Sequence, residues 1–561
     1  MIRCSTTRSL AHARALALAL KRALALTTIL ASVASARTGI GDPVEIFREH
    51  APDDIVVLHG QLRLRSAAYL NLDLDRGPAL TNGQPLFLEE GHADGFATGH
   101  DARVRFSPSI FLGDFRLFLD TDLAEASLGP APDGVPFAVR PRAVSDGSLS
   151  LVDIRALGFD WMLPIGVLSV GRMPAHFALG IAANDGAGID DDGGDRAERI
   201  ALVLPMFGYL VALAADALPQ DTILGEQAIS LGLMEWRAPW EVEMRRDAGR
   251  ASFDWGAAVS IGGSFKDVPG LHARLHDALV DAGAIAAPST LVVRRDTRFL
   301  LADVWARLVV DRFRIEGEAW AGDLVIDNPS PFAGVNLRDP IVGNPAAFAL
   351  VFESRLLEPT SDALFMQLEV GAASADPSFG FPIAAAPSTS PLYANGAPSG
   401  LGAAGASGEA RTSTPPTFVD AGAGDVFGPQ ITLKNDMRFD AARIQPLHRI
   451  DLILWRTLLG GVSEAAYVRA RLDGELFRDD AGNTIRLDAN LVYSHAISAD
   501  SAPGGVAPLG VELDVGAEGT LGDASLRVDA GSLLPLGGLG ARGAGPASMG
   551  HMLLVRLGYA L

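Results

Sequence analysis

The chain has 561 residues, a formal net charge of -21 and a single cysteine, Cys4. The acidic balance argues against a nucleic-acid partner, which needs a basic face, and one cysteine excludes intrachain disulfides and cysteine-rich zinc sites. The length allows two to four soluble domains or one large barrel, and 61 glycines and 34 prolines supply ample turns.

Residues 1–36 read as a secretory signal peptide. Arg3, Arg8, Arg14, Lys21 and Arg22 form a basic start, Ala23 to Val33 is apolar, and Ala34-Ser35-Ala36 fits a small-x-small cleavage site. A cytoplasmic amphipathic helix or a misassigned start is the alternative. Cleavage after Ala36 removes five cations and no acids, leaving 41 Lys and Arg against 67 Asp and Glu, a net of -26. Residues 37–56 are expected as a polar periplasmic lead-in. Further on, Ala201 to Ala215 is apolar but shorter than the roughly 20 residues of a spanning helix, and Pro205 and Gly208 interrupt it. Export without a helical anchor, in a chain rich in amphipathic strands, points to the outer membrane of a Gram-negative-type envelope, where only a closed barrel satisfies strand backbones in lipid.

In chain order, Leu58 to Asp73 is a predicted strand, followed by a long loop over Asp75 to Asp101. Arg103 to Ser107 and Phe111 to Thr121 are expected to pair, with the turn at Pro108 and Ser109. Leu151 to Ala156 and Trp161 to Gly171 come next, then a hairpin over Arg196 to Asp216 turning near Met206 to Gly208. Glu235 to Arg245 and Ser252 to Ile261 supply further strands. Gly270 to Ala284 looks like a short helix in a loop. Phe299 to Val310 pairs with Phe313 to Gly322, and Leu364 to Val370 alternates. Ser374 to Gly424 is dominated by Ala, Gly, Ser, Pro and Thr and reads as a mobile surface loop. Val462 to Phe477, Thr484 to Ala496, a hairpin over Leu509 to Ala530 and a terminal strand over Met552 to Leu561 complete the series. That makes about sixteen strands, within 14–18, in one transmembrane antiparallel β-barrel over residues 57–561. Long and short connections alternate, as barrels require.

The hairpin at 509–530 shows the pattern most clearly. Leu509, Val511, Leu513, Val515 and Ala517 alternate with Gly510, Glu512, Asp514, Gly516 and Glu518. One face is apolar and the other charged. A soluble sheet would bury the apolar face; an outer-membrane barrel would turn it to lipid around a wet lumen. In the barrel the polar faces line the pore: Arg314, Glu316, Glu318, Gln367, Glu369, Arg469, Arg471, Glu512, Asp514, Arg527 and Asp529 are the candidates. Opposite charges there set a field across a channel or neutralise one another.

Three further clusters carry chemical readings. Asp185, Asp190, Asp191, Asp192 and Asp195 stand among glycines; they fit a solvated acidic loop, a Ca²⁺ site, or a negative constriction folded into the lumen. The spacing lacks the closing Glu of an EF-hand. His272 and His276, with Asp277, have metal-ligand spacing, but Ala273 stands where a zincin needs Glu, and an exposed polar helix face accounts for them. Ile450, Ile453, Leu454, Thr457 and Leu458 follow a helical period, while Ile450, Leu452 and Leu454 also alternate, so a lumen helix and a barrel strand both fit. No G-x-S-x-G, P-loop, H-E-x-x-H or Rossmann glycine motif is present, so no enzyme is expected, and no cofactor beyond the Ca²⁺ reading.

Gly171-Arg172-Met173-Pro174, Gly180-Ile181-Ala182-Ala183-Asn184-Asp185-Gly186, the acidic run to Gly194-Asp195-Arg196, and Arg449 to Gly460 followed by Ala466-Tyr467-Val468 carry a family resemblance. They resemble a family of large porin-like outer-membrane β-barrels, similar in style to alginate-export-type porins. The resemblance implies a barrel with a pore or export role and supplies no substrate. Leu553, Val555, Leu557, Tyr559 and Leu561 resemble the terminal recognition strand of such barrels, with Leu561 where an aromatic residue is usual. The expected partners are therefore outer-membrane lipid, the barrel-assembly machinery and a small polar solute. The expected function is a channel for small polar or charged solutes. Polysaccharide export, a plugged structural or adhesion barrel, and a secreted soluble β protein are the alternatives.

Overall fold

The computed structural model describes residues 55–72, 74–75, 96–127, 152–191, 194–207, 209–217, 227–235, 249–264, 267–269, 292–294, 297–327, 340–357, 363–375, 440–499, 502, 504–540 and 547–560. The signal-peptide and lead-in readings, the low-complexity loop at 374–424 beyond residue 375, His272, His276 and Asp277, the strand at 236–245, and Asp192 lie outside them.

The strands are β1 (Val56–Leu70), β2 (Phe96–Leu112), β3 (Phe115–Ser127), β4 (Asp153–Leu163), β5 (Gly166–Pro174), β6 (Arg196–Met206), β7 (Tyr209–Ala217), β8 (Gln227–Glu235), β9 (Ser252–Ser264), β10 (Asp267–Pro269), β11 (Val292–Arg294), β12 (Thr297–Val310), β13 (Phe313–Ile326), β14 (Ile341–Gly343), β15 (Ala346–Arg355), β16 (Leu364–Ala373), β17 (Ala465–Arg478), β18 (Thr484–Ala496), β19 (Pro508–Leu521), β20 (Ala524–Pro535) and β21 (Gly550–Ala560). β10 and β11 form a separate two-stranded ribbon. β14 and β15 pair with successive parts of β13 and act as one stave. Every other strand pairs antiparallel with its sequence neighbour, and β21 pairs back onto β1, from Gln61 opposite Ala560 to Leu70 opposite His551. The result is a closed antiparallel barrel of eighteen staves, at the upper end of the expected range. Closure leaves the barrel sheet, among the described residues, without an unpaired edge strand, which is what a strand protein needs in lipid.

Tight turns gather at one end of the barrel. Two residues join β2 to β3, β4 to β5, β6 to β7, β12 to β13 and β19 to β20. Gly113 and Gly522 take positive φ in two of these turns, and Asp311 in a third, as two-residue hairpins require. The other end carries the long connections, among them 175–195 and 374–464. The exception is 236–251, a long connection on the tight-turn side.

Several strand limits differ from the sequence reading. The turn expected at Pro108 and Ser109 is absent: β2 runs through both, with Pro108 opposite Leu58, and turns at Gly113-Asp114. Proline does not break a strand where its missing N–H leaves no ladder bond wanting. β2 also begins at Phe96, inside the loop expected to extend to Asp101. The break placed between Ala156 and Trp161 falls instead at residues 164–165, because Phe159 to Leu163 continue the pairing with β5. β8 and β15 carry Ala, Gly and Ser among few charges, so their alternation was too faint to read.

Candidate functional site in the barrel lumen

Exposure decides which side of the wall faces which solvent. On β19, Leu513 and Val515 are 51% and 49% exposed, whereas Glu512 and Asp514 are 1% and 8% exposed. The same inversion recurs on β13, where Phe313 and Ile315 face out and Glu316 and Glu318 are buried. Apolar side chains outside and charged side chains inside are the reverse of a soluble sheet. At the tight-turn end the outer face carries aromatic pairs: Phe115 stacks on Trp161 (5.3 Å), Phe313 on Phe352 (5.8 Å), and Tyr209 meets Trp255 edge-on (5.8 Å). Such a girdle marks a membrane interface. Strands of 9 to 17 residues are long enough for tilted spans. The chain is a transmembrane β-barrel.

Two long connections fold back into the lumen. The first, 175–195, leaves β5, touches β13 and returns to the wall on the β4 side of β5, where arginines of β1, β2 and β4 take up its backbone carbonyls. Arg155 donates to Asp185 O (2.9 Å) and Gly186 O (2.8 Å), and Arg105 to Gly186 O (3.1 Å). Arg103 donates to Ile189 O (2.8 Å) and to Asp191 O. Arg63 reaches Ile189 O (3.2 Å), and Arg556 of β21 pairs with the Asp190 carboxylate. The same arginines are neutralised on the wall by Asp101, Asp120 and Asp122. Inward glycines allow the close approach: a Cβ on Gly558 would stand 2.6 Å from Ile189 Cδ1. At its start the segment donates Ile181 and Ala182 N–H to Glu318 of β13 (3.4 and 3.2 Å). Burial pushes the Asp190 carboxyl up, but Arg456, Arg556, Arg449 and Arg65 outweigh it and hold the group at about 2. Its contribution to docking is thus present above the ordinary carboxylate range and lost as pH falls toward 2.

The second segment, 440–464, enters between β16 and β17 and turns within the lumen through a short π-helix, Leu454–Leu458. All five residues of the helical stripe, Ile450, Ile453, Leu454, Thr457 and Leu458, are buried, so the lumen-helix reading describes this stretch and the strand reading does not. They pack with Trp455, Leu509, Leu533, Met552 and Leu554 as an apolar cluster inside the barrel. Glu512 of β19 accepts the N–H groups of Leu452 (2.9 Å), Ile453 (2.6 Å) and Leu454 (2.8 Å), the orphan donors that open a helix. Trp455 Nε1 donates to Ser494 Oγ (2.8 Å).

The two segments also hold each other. Gln445 N–H donates to Ile181 O (2.9 Å) and its side-chain amide to Asp195 (3.1 Å). Arg449 donates to Asp190 O (2.7 Å). His448 lies between Leu179 O (3.2 Å) and Glu369 (2.8 Å), which also accepts from Tyr467 (2.6 Å) and Arg469 (3.2 Å). Burial opposes charge on His448, but Glu369 outweighs it and raises the imidazole pKa. Behind this network Gly371 leaves space for the Tyr467 ring: a Cβ there would stand 2.6 Å from three atoms of the side chain. Gly371→Ala is expected to lower stability by about 1–3 kcal/mol. Gly519→Ala, with nothing near its Cβ, should stay within about 0.5 kcal/mol of the parent. Urea unfolding of the barrel in lipid vesicles compares them, and equal midpoints would refute this packing argument.

The residues singled out as pore-lining all stand on the inward face, but in two groups. Glu318, Glu369, Glu512 and Asp514 lie against the infolded segments. Arg314 pairs with Glu316 and Glu353, and Glu316 accepts from Trp305 Nε1 (2.7 Å). Arg471 pairs with Asp473, and Arg527 with Asp529, Asp488 and Glu518. Gln367 sits opposite Arg471 in the ladder. In the acidic loop Asp185 and Asp191 accept N–H groups of the loop itself, and Asp195 accepts Asn184 N–H (2.9 Å). Among the described residues no group of three or more His, Cys, Asp or Glu is arranged for a metal. Sequence reasoning missed Arg63, Arg65, Arg103, Arg105, Arg155 and Arg556. The alternation of Arg63 and Arg65 on β1 with Arg103 and Arg105 on β2 was the available signal, since both pairs fall on one face.

No family model matches the chain, and no curated protein matches it. Solved structures do. An anion-selective porin from Comamonas acidovorans is 10% identical over 90% of this chain and 99% of its own, with a TM-score of 0.38. Acinetobacter baumannii OccAB4 is 8% identical over 91% and 100%, with a TM-score of 0.44. Pseudomonas aeruginosa OccK9 (OpdG) is 11% identical over 90% and 98%, also at 0.44.

Proposed function

We propose that the barrel is an outer-membrane channel of porin type, passing small polar or charged solutes through a lumen narrowed by segments 175–195 and 440–464. The observation that carries this reading is the charged inward face combined with connections folded into the lumen. A barrel interior of side chains alone would plug itself only at smaller strand numbers; eighteen staves leave room that these segments narrow. The reading includes outer-membrane lipid around the apolar exterior and delivery by the assembly machinery through the terminal strand.

The apolar cluster within the lumen favours a second reading, a plugged structural barrel. Polysaccharide export, the finer likeness drawn from the sequence, is less supported: an acidic polymer needs a continuous basic track, and the arginines of β1, β2, β4 and β21 are occupied by carboxylates and loop carbonyls.

Single-channel recording of the refolded protein in a planar bilayer separates these readings. Stable steps that scale with salt are expected, and the reversal potential in a salt gradient gives the charge preference. Insertion without current would refute the open channel and leave the plugged barrel.

A further inference from the structure

Three carboxyl groups meet where segment 440–464 seats on the wall. Asp451 comes from the segment, and Glu512 and Asp514 from β19; all three are buried. Asp451 accepts the N–H groups of Trp455 (3.0 Å) and Arg456 (3.1 Å), and Glu512 those of Leu452, Ile453 and Leu454. Glu512 and Asp514 stand two positions apart on the inward face of β19, and Asp514 Oδ1 is buried without a hydrogen-bond partner. From β17, Arg469 and Tyr467 face the cluster; Arg469 is shared with Glu369 and Asn490. From β18, Asn490 donates to Ile450 O (2.8 Å) and Asp514 (3.1 Å) and brings no charge. From β20, Asp529 adds an acid already paired with Arg527 (2.7 Å), and Arg456 lies on the segment itself. Seating the segment therefore brings the buried Asp451 carboxyl beside Glu512 and Asp514, with Arg469 shared between this cluster and Glu369.

We propose that Asp451, Glu512 and Asp514 form a proton-linked clasp, which keeps segment 440–464 seated at low pH and loosens it as pH rises. The consequence for transport rests on the channel reading above; the clasp itself does not. Burial, then the charge of Asp514, pushes the Asp451 carboxyl from an ordinary 3.8 up to about 7. The seated state thus prefers the protonated acid. Between those two values unseating releases a proton, so the unseated fraction rises about tenfold per pH unit and levels off above 7.

A buried thiol reads that fraction even when it is small, because it reacts only in the unseated state. Thr457 is fully buried. In a Cys4→Ser background, Thr457→Cys is labelled with a maleimide in detergent micelles, and its rate is divided by that of an exposed control, Asp523→Cys. The ratio is expected to climb about fiftyfold from pH 5 to pH 7 and to flatten above. Adding Asp451→Asn, which keeps an oxygen acceptor for Trp455 and Arg456, removes one of the protons released and should make the climb clearly shallower. A flat ratio without that change, or an unaltered climb with it, overturns the clasp. Planar-bilayer currents test the channel reading separately. A climbing ratio in a barrel that never conducts supports the clasp and refutes the channel. A conducting barrel with a flat ratio refutes the clasp alone.

Discussion

Replacing Arg103 and Arg105 together with alanine is expected to widen the channel and expose residues 185–191 to protease. These side chains hold Gly186, Ile189 and Asp191 by their carbonyls while sharing Asp122 on the wall. Hydrogen bonds from a charged donor contribute about 1.5–3 kcal/mol each. Losing the buried partners of Asp122 costs about 3–5 kcal/mol more, softened by Arg155, which stands 3.8 Å from Asp122. The β1, β2 and β21 ladders do not depend on these side chains, so the barrel should still close. Segment 175–195 would keep Glu318, Arg155, Arg63 and Arg556 as anchors and loosen between Gly186 and Asp191. A several-fold rise in single-channel conductance, with new cleavage between 185 and 191, is the expected result. Unchanged conductance would mean that this segment does not set the narrowest point. Arg478→Ala, at the exposed turn end beside Glu475, serves as the control and should alter neither readout.

Leu513→Arg is expected to destabilise the barrel by about 2–4 kcal/mol, the penalty for a guanidinium near the bilayer midplane. Leu521→Arg, on the same strand and face but beside the Gly522 turn, should cost about 0–1 kcal/mol. Leu521 is 72% exposed and lies where headgroups replace hydrocarbon. Urea midpoints in lipid vesicles give the contrast. Equal penalties would place both residues at one depth and refute the span assigned to β19; no penalty at 513 would refute the outward face itself.

The barrel was legible in the sequence wherever a strand alternates sharply. β19, β20 and β13 combine large outward apolar residues with inward charges, so both their existence and their facing follow from a period of two. β8 and β15 went unread because Ala, Gly and Ser blur the contrast between faces. The break misplaced at Pro108 came from treating proline as a terminator without regard to the ladder position it occupies. The inward identity of Glu369, Glu512 and Asp514 followed from alternation, but their buried role did not. Nothing local in β19 says that Glu512 caps backbone donors some sixty positions earlier in the chain. The same limit hid the arginine wall, whose partners are carbonyls and leave no mark in the residue types.

Closure between β1 and β21 sets the order of assembly. Leu70 pairs with Phe96 on one side but finds its second partner only at His551, so the first stave stays unpaired on one side until the last has emerged. Contacts so distant in sequence are slow to form, because the chain entropy of a very long loop must be lost before they repay it. Through that interval the two terminal strands present adhesive edges and exposed apolar faces. Such a topology is safest when those edges stay shielded until the two ends meet. A chain truncated before Gly550 would be left with two permanent edges and aggregate rather than insert.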